Sequence, residues 1–416
     1  MKKILFLTKS YPDFRKSATI LCTHRVMEAC AKSSEIEVHC LCLQYPGERV
    51  EEVVNGIHVT RIPQTLFEEV KYKKSVTAST KGRKLFHVMD RIQKTITIPL
   101  YPCISPLQLN RWENYAKQLY AKYRFDVVVA EHYGYNTLKT GLCLKKKYPS
   151  VKYVPLLWDP IDGQVITAKL PLSFTTKRIH QLELAVGNAA DMVISTVAMK
   201  AYYDSHGDAF DNKRKYLDIP SVIFPEDEVE TSHIGLLNKD YINIVFSGYI
   251  DSHRDINPVL DVLNNSKQAP KLNVVFFCKG VAKKDEAYWK DNFKGKITFH
   301  GYIPLPELHT IYRHADYLLN ISSINPNLIP SKIFEYMSYG KPIISTYFTN
   351  GDAAKKYLDI YPESIVINQQ ESEEENINKM EKFLVSNHPI VEFKTVQELF
   401  SLNTPEKFVE ILRELK

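Results

Sequence analysis

No stretch of this 416-residue chain is apolar for long enough to span a bilayer, so the chain is expected not to cross one. Its seven cysteines (Cys22, Cys30, Cys40, Cys42, Cys103, Cys143, Cys278) form no Cys-x-x-Cys pair and no Cys/His ladder. That pattern excludes a disulfide scaffold and a zinc ribbon, and it reads as reduced thiols in a cytosolic protein. A strong excess of either charge is also missing. The 54 Lys and Arg residues stand against 48 Asp and Glu, a formal net charge of +6, so binding to nucleic acid is not expected. No Asp-x-Asp pair occurs, so no metal held by carboxylates against a diphosphate is expected. The opening Met1-Lys2-Lys3 and Ile4-Leu5-Phe6-Leu7 are cut off by Lys9, too soon for a signal-peptide core.

What is present is a regular alternation. Short β-branched and apolar runs (Ile4–Thr8, Ile36–Leu43, His58–Ile62, Val127–Glu131, Tyr153–Trp158, Met192–Thr196) are separated by segments of helical period. A second series follows: Ile242–Ser247, Leu272–Cys278, Ile297–His300, Tyr317–Ile321, Pro342–Thr346 and Ser364–Ile367. Continuous apolar runs between helices imply parallel strands covered on both faces, and two series imply two doubly wound α/β domains. Pro220, Pro225 and Glu226-Asp227-Glu228 interrupt the pattern, which places domains at 1–225 and 226–402. Asn403-Thr404-Pro405 then opens a closing helix over 403–416, with Phe408, Ile411 and Leu412 as its apolar stripe. An insertion is expected at about 66–120. Its Lys71, Lys73, Lys74, Lys81, Arg83, Lys84, Arg91 and Lys94 are interleaved with apolar residues, which suits either an anionic membrane surface or a solvated helix face.

Two constellations carry chemistry. In Asn325–Thr346 a strand ends, a loop holds Pro326 and Pro330, and a short helix runs from about Ser331 to Gly340. Its free N–H groups would lie at the carboxyl edge of a parallel sheet, where anions such as diphosphates bind. Ser331 and Glu335 share a face, with Lys332 beside them; they suit phosphate and ribose hydroxyls, and equally ordinary helix capping. The second constellation is Phe246-Ser247-Gly248-Tyr249 followed by Asp251-Ser252-His253-Arg254. Gly248 at a strand end admits a ligand to the backbone. Arg254 suits a departing diphosphate, or a salt bridge to Asp251 or Asp255.

These motifs resemble the family-4 (group 1) retaining glycosyltransferases of the GT-B type, most specifically from Ile242 to Thr346. The resemblance implies two Rossmann-like doubly wound parallel-sheet domains facing a central cleft. Gly248 matches the family's glycine, Tyr249 stands in place of its arginine, and Arg254 stands where a lysine is usual. Glu335 matches the second of two glutamates separated by seven residues, the ribose-binding one, and Asn327 occupies the first position. Lys279-Gly280, His300-Gly301-Tyr302 and Gly340-Lys341-Pro342 are further echoes. The donor-binding set implied is Gly248, Arg254, Gly280, Asn327, Ser331, Lys332 and Glu335. Arg254, Lys332 and Asp159 are the implied catalytic residues, Asp159 standing beside Trp158 where relatives carry a histidine-aspartate pair. Paired glycines after the first strand, usual in the family, are absent here. Glu131 and His132 end another strand of the first domain.

The implied reaction moves a sugar from a nucleotide-diphosphate donor to a hydroxyl acceptor with retention, without metal or resident cofactor. A glycan or lipid-linked acceptor, cell-surface polysaccharide or glycolipid synthesis, and a cytoplasmic place, with contact to the inner membrane face, complete the expectation. Two rivals stand beside it: a nucleotide-sugar epimerase of the same architecture, and a non-catalytic binding subunit.

Overall fold

Ile4 and Phe6 face one way from the first strand, Leu5 and Leu7 the other, and all four are buried. A strand that is apolar at every position needs cover on both faces, and the chain supplies it twice. The computed structural model describes residues 1–12, 18–64, 95, 101–102, 105–132, 135–158, 161, 171–207, 210–250, 253–323, 330–347 and 352–415. They form two units, Met1–Pro220 with Pro405–Lys416, and Ser221–Thr404.

In the first unit β1 (Lys2–Leu7), α1 (Ala18–Ala31), β2 (Ile36–Leu43), β3 (Glu51–Val54), β4 (Ile57–Ile62) and α2 (Pro106–Tyr123) come first. Then follow β5 (Val127–Glu131), α3 (Tyr135–Lys147), β6 (Lys152–Leu157), α4 (Leu172–Ala189), β7 (Val193–Thr196), α5 (Lys200–His206) and β8 (Arg214–Leu217). The sheet order is β3-β4-β2-β1-β5-β6-β7-β8, parallel except for β3 against β4. That hairpin turns on Asn55 (φ 50°) and Gly56 (φ 77°), both left-handed, as a two-residue turn between twisted strands requires. The span expected as insertion is shorter than 66–120, because Pro106–Tyr123 is the crossover helix leading into β5. Ser105 caps it, and Trp112, Ala116, Leu119 and Tyr120 are buried beneath it. The basic run 71–94 lies outside the described residues.

The C-terminal helix Pro405–Glu414 belongs to the first unit, packed on α1. Phe408 sits against Trp158 with ring centroids 5.7 Å apart, and Phe408 and Leu412 are each 1% exposed. Lys2 Nζ donates to the carbonyls of Arg413 (2.6 Å) and Leu415 (2.7 Å), a cation at the negative end of a helix. Cys22, Cys30, Cys40, Cys42, Cys143 and Cys278 are free thiols, and Cys103 lies outside the described residues. Among the described residues no helix is long and apolar enough to cross a membrane.

The second unit contains β9 (Ile242–Tyr249), α6 (Asn257–Asn265), β10 (Leu272–Lys279), α7 (Lys283–Asn292), β11 (Lys296–His300), α8 (Leu305–His314) and β12 (Tyr317–Ile321). It continues with α9 (Lys332–Ser338), β13 (Ile343–Tyr347), α10 (Lys355–Leu358), β14 (Ser364–Asn368), α11 (Glu373–Val385) and α12 (Phe393–Leu399). The wholly parallel order β11-β10-β9-β12-β13-β14 reverses direction between β9 and β12. A crevice opens at the carboxyl ends where such an order reverses.

Phe408→Ala is expected to cost the first unit about 3–5 kcal/mol, the usual loss for emptying a buried aromatic site. Hydrogen exchange read by mass spectrometry should show faster exchange in α1 and β1, with β9–β14 unchanged.

Candidate functional site

At the reversal in the second unit, β9 ends in Ser247-Gly248-Tyr249. Ser247 is buried, and two tyrosines pin it. Its amide donates to the Tyr336 hydroxyl at 3.1 Å, and its Oγ touches the hydroxyl of Tyr312. Gly248 has φ +150°, a conformation that favours glycine, and a Cβ there would lie in ordinary contact with the Phe246 ring, 3.5 Å away. Gly280 differs. At φ +94° a Cβ would lie 1.9 Å from the Ile250 carbonyl oxygen, so the chain's own backbone fills that place. Tyr249, 54% exposed, brings a ring rather than a charge to the strand end.

Arg254 is held by the same turn, its Nη1 donating to the Tyr249 carbonyl at 3.0 Å. Among the described residues it pairs with no carboxylate: Asp255 Oδ1 instead accepts from the Asn257 amide at 2.9 Å. Asp251, Ser252, Asn327 and Asp159 lie outside the described residues.

Lys332 and Glu335 meet at the start of α9. Lys332 Nζ lies 2.9 Å from Glu335 Oε1 and donates to the Tyr312 hydroxyl at 3.1 Å. The lysine is partly open to solvent, whereas Glu335 is 3% exposed. Ser331 adopts helical angles (φ −57°, ψ −23°) and its side chain caps nothing. The carboxylate expected at an open helix start is therefore an internal ion pair. A buried charge needs such compensation to persist.

His309 completes the pair from α8. It is 2% exposed, with Nε2 3.4 Å from Glu335 Oε1 and Nδ1 3.4 Å from Glu226 Oε2. Burial works against its protonation, but the two carboxylates outweigh burial and hold its pKa above the ordinary 6.5. Tyr312, Tyr336 and His309 were not among the site residues expected from the sequence, and Ser247 entered only as part of the Phe246–Tyr249 stretch. The available signal was slight: His309 and Tyr312 are three apart on an amphipathic helix, polar groups on its apolar face.

The first unit has its own reversal, between β1 and β5. There Glu131 is 1% exposed, its Oε2 accepts from Thr8 Oγ1, and burial pushes its pKa up to about 7. Its Oε1 has no hydrogen-bond partner among the described residues.

Residues 242–384, β9 through most of α11, match the family model described as Glycosyl transferases group 1. That match covers most of the second unit. The Lys332–Glu335–His309 cluster lies wholly within the matched span. No curated protein matches the chain in sequence. Among solved structures it is similar to sucrose-phosphate synthase from Thermosynechococcus elongatus (14% identity, 100% of this chain and 99% of that one, TM-score 0.63). It is also similar to Anabaena HepE in complex with UDP-glucose (13%, 99% and 100%, 0.59). A Listeria monocytogenes protein assigned as a UDP-N-acetylglucosamine 2-epimerase is a third (11%, 96% and 95%, 0.52). Likeness over whole chains at such identities establishes the fold, which is GT-B with two Rossmann-like parallel-sheet domains.

The raised His309 pKa carries a sign. Its protonated form is stabilised in the folded state, so that contribution is full below about pH 6.5 and is lost as pH rises through the folded-state pKa. Urea unfolding of the wild type and of His309→Asn should differ most in mild acid and converge at alkaline pH. A difference that does not change with pH would mean that His309 contributes only packing.

Proposed function

We propose that the protein is a glycosyltransferase that takes a nucleotide-diphosphate sugar as donor and passes the sugar to a hydroxyl acceptor with retention of configuration. The observation that supports this reading best is the Lys332–Glu335 pair at the carboxyl edge of β9 and β12, within the matched domain. One half of the pair is a fixed carboxylate and the other a flexible, half-open cation. In this reading ribose hydroxyls replace Lys332 Nζ on Glu335, and the released ammonium turns to the diphosphate. Gly248 and Ser331 leave backbone and hydroxyl donors for the phosphates, and Arg254 supplies a second cation. Asn327 hydrogen-bonds the donor, while Gly280 shapes the turn beside it.

Catalysis is then chiefly electrostatic. Negative charge grows on the leaving diphosphate in the transition state, and cations already in place there lower the barrier. The reading assigns no metal or resident cofactor, in keeping with the absence of an Asp-x-Asp pair. Asp159 is assigned to the reacting sugar. A glycan or lipid-linked acceptor, made at the inner face of the cell membrane with the basic run 71–94 against anionic lipid, extends the proposal. Salt-sensitive co-sedimentation with phosphatidylserine vesicles tests that extension.

Incubation with a panel of nucleotide sugars and candidate acceptors separates the readings. Transfer supports this one, release of an epimerised nucleotide sugar supports the epimerase, and binding without turnover supports a non-catalytic subunit. Within the panel, Glu335→Gln should weaken donor binding by about 2–3 kcal/mol, since a charged acceptor of two hydroxyls becomes neutral. Arg254→Ala should lower kcat roughly hundredfold while changing the donor KM little. An Arg254→Ala enzyme with wild-type kcat would confine that residue to its turn.

A further inference from the structure

The segment that opens the second unit is strapped along α8. The Val229 amide donates to Thr310 Oγ1 at 3.0 Å, and Arg313 donates to the carbonyls of Pro225 (3.2 Å) and Glu226. Thr231 Oγ1 donates to Glu307 Oε2 at 2.5 Å, His233 Nδ1 lies 2.8 Å from the same oxygen, and His314 Nε2 lies 3.2 Å from Glu228. These contacts bring Glu226 to one edge of His309, while α9 brings Glu335 to the other. The ring lies between Tyr312 and Tyr339, at centroid distances of 6.1 and 5.9 Å.

Each ring nitrogen thus faces a carboxylate, and neither makes a directed hydrogen bond. A neutral imidazole has one donor and one acceptor, so it would set a lone pair against one carboxylate. Only an imidazolium offers a donor to both. Lys332 and Arg313 are the nearby cations and disfavour that charge; Glu226 and Glu335 favour it from two different segments.

We infer that His309, shared as an imidazolium between Glu226 and Glu335, is a positioning residue for the donor site. It keeps Glu335 ionised and in place when Lys332 leaves it for a nucleoside diphosphate. When Lys332 leaves, the imidazolium keeps an opposing charge 3.4 Å from that buried carboxylate. The inference rests on the donor-site reading and adds a condition to it: the site works while His309 is charged. Donor binding should then weaken as pH rises, although no phosphate or ribose group of the donor titrates in the same sense.

The test uses the full chain with labelled histidine, followed by NMR from about pH 5 to pH 9, with His309→Gln identifying the signal. His309 should titrate above ordinary imidazole, and Glu335→Gln and Glu226→Gln should each lower its midpoint. Calorimetry with UDP and with GDP should show affinity falling about tenfold through that midpoint in the wild type. In His309→Gln, affinity should be weak at every pH. A midpoint at or below ordinary imidazole overturns the inference, as does a midpoint indifferent to Glu335→Gln. A raised midpoint with pH-independent nucleotide affinity overturns the positioning role alone. Failure of both nucleotides to bind the wild type, with the midpoint raised, overturns the donor-site reading and the positioning role with it.

Discussion

A parallel strand covered on both faces leaves only its ends for chemistry, and the rest of this protein follows from that constraint. Each β9–β14 connection has to return by a helix, so every strand delivers its carboxyl end to the same edge. Where the order reverses between β9 and β12, two connections part in opposite directions and no helix closes the gap. Ser247, Gly248, Lys332 and Glu335 come together there because of topology, although nearly ninety positions separate the first from the last.

Within that edge, electrostatics decides the arrangement. A carboxylate at 3% exposure is costly unless opposing charge lies close by, and Glu335 has an ammonium at 2.9 Å and an imidazole at 3.4 Å. The two partners differ in kind. Lysine is flexible and half open to solvent, so a ligand can exchange with it; the histidine is enclosed and fixed by a strap of chain on α8. Tyr312 joins Lys332 to Ser247, which ties the charge cluster to the end of β9.

The first unit repeats the architecture without repeating the chemistry. Its reversal lies between β1 and β5, and it carries Glu131, which accepts from the Thr8 hydroxyl and feels the charge of Lys9. Burial outweighs the hydroxyl bonds and the Lys9 charge and raises the pKa of that carboxyl to about 7, whereas Glu335 is ion-paired. The C-terminal helix docks on this unit through Phe408 and through Lys2 on its last carbonyls, so the first and last residues of the chain stabilise the same core.

Much of this was legible in the residue order. Runs apolar at every position announced parallel strands, two series of them announced two units, and Lys332 and Glu335 are close enough along one helix to be paired on paper. The edge strands of the first unit were not legible: β3 (Glu51–Val54) and β8 (Arg214–Leu217) have cover on few sides, so they carry little apolar signal. Nor did the stripe of Phe408, Ile411 and Leu412 say which unit it would join. The sequence by itself determined where strands and helices would form, because periodicity and capping act over a few residues. Only the tertiary structure decided that Glu226, His309 and Glu335 form one line of charge, because residues that distant along the chain meet only when the sheet is assembled.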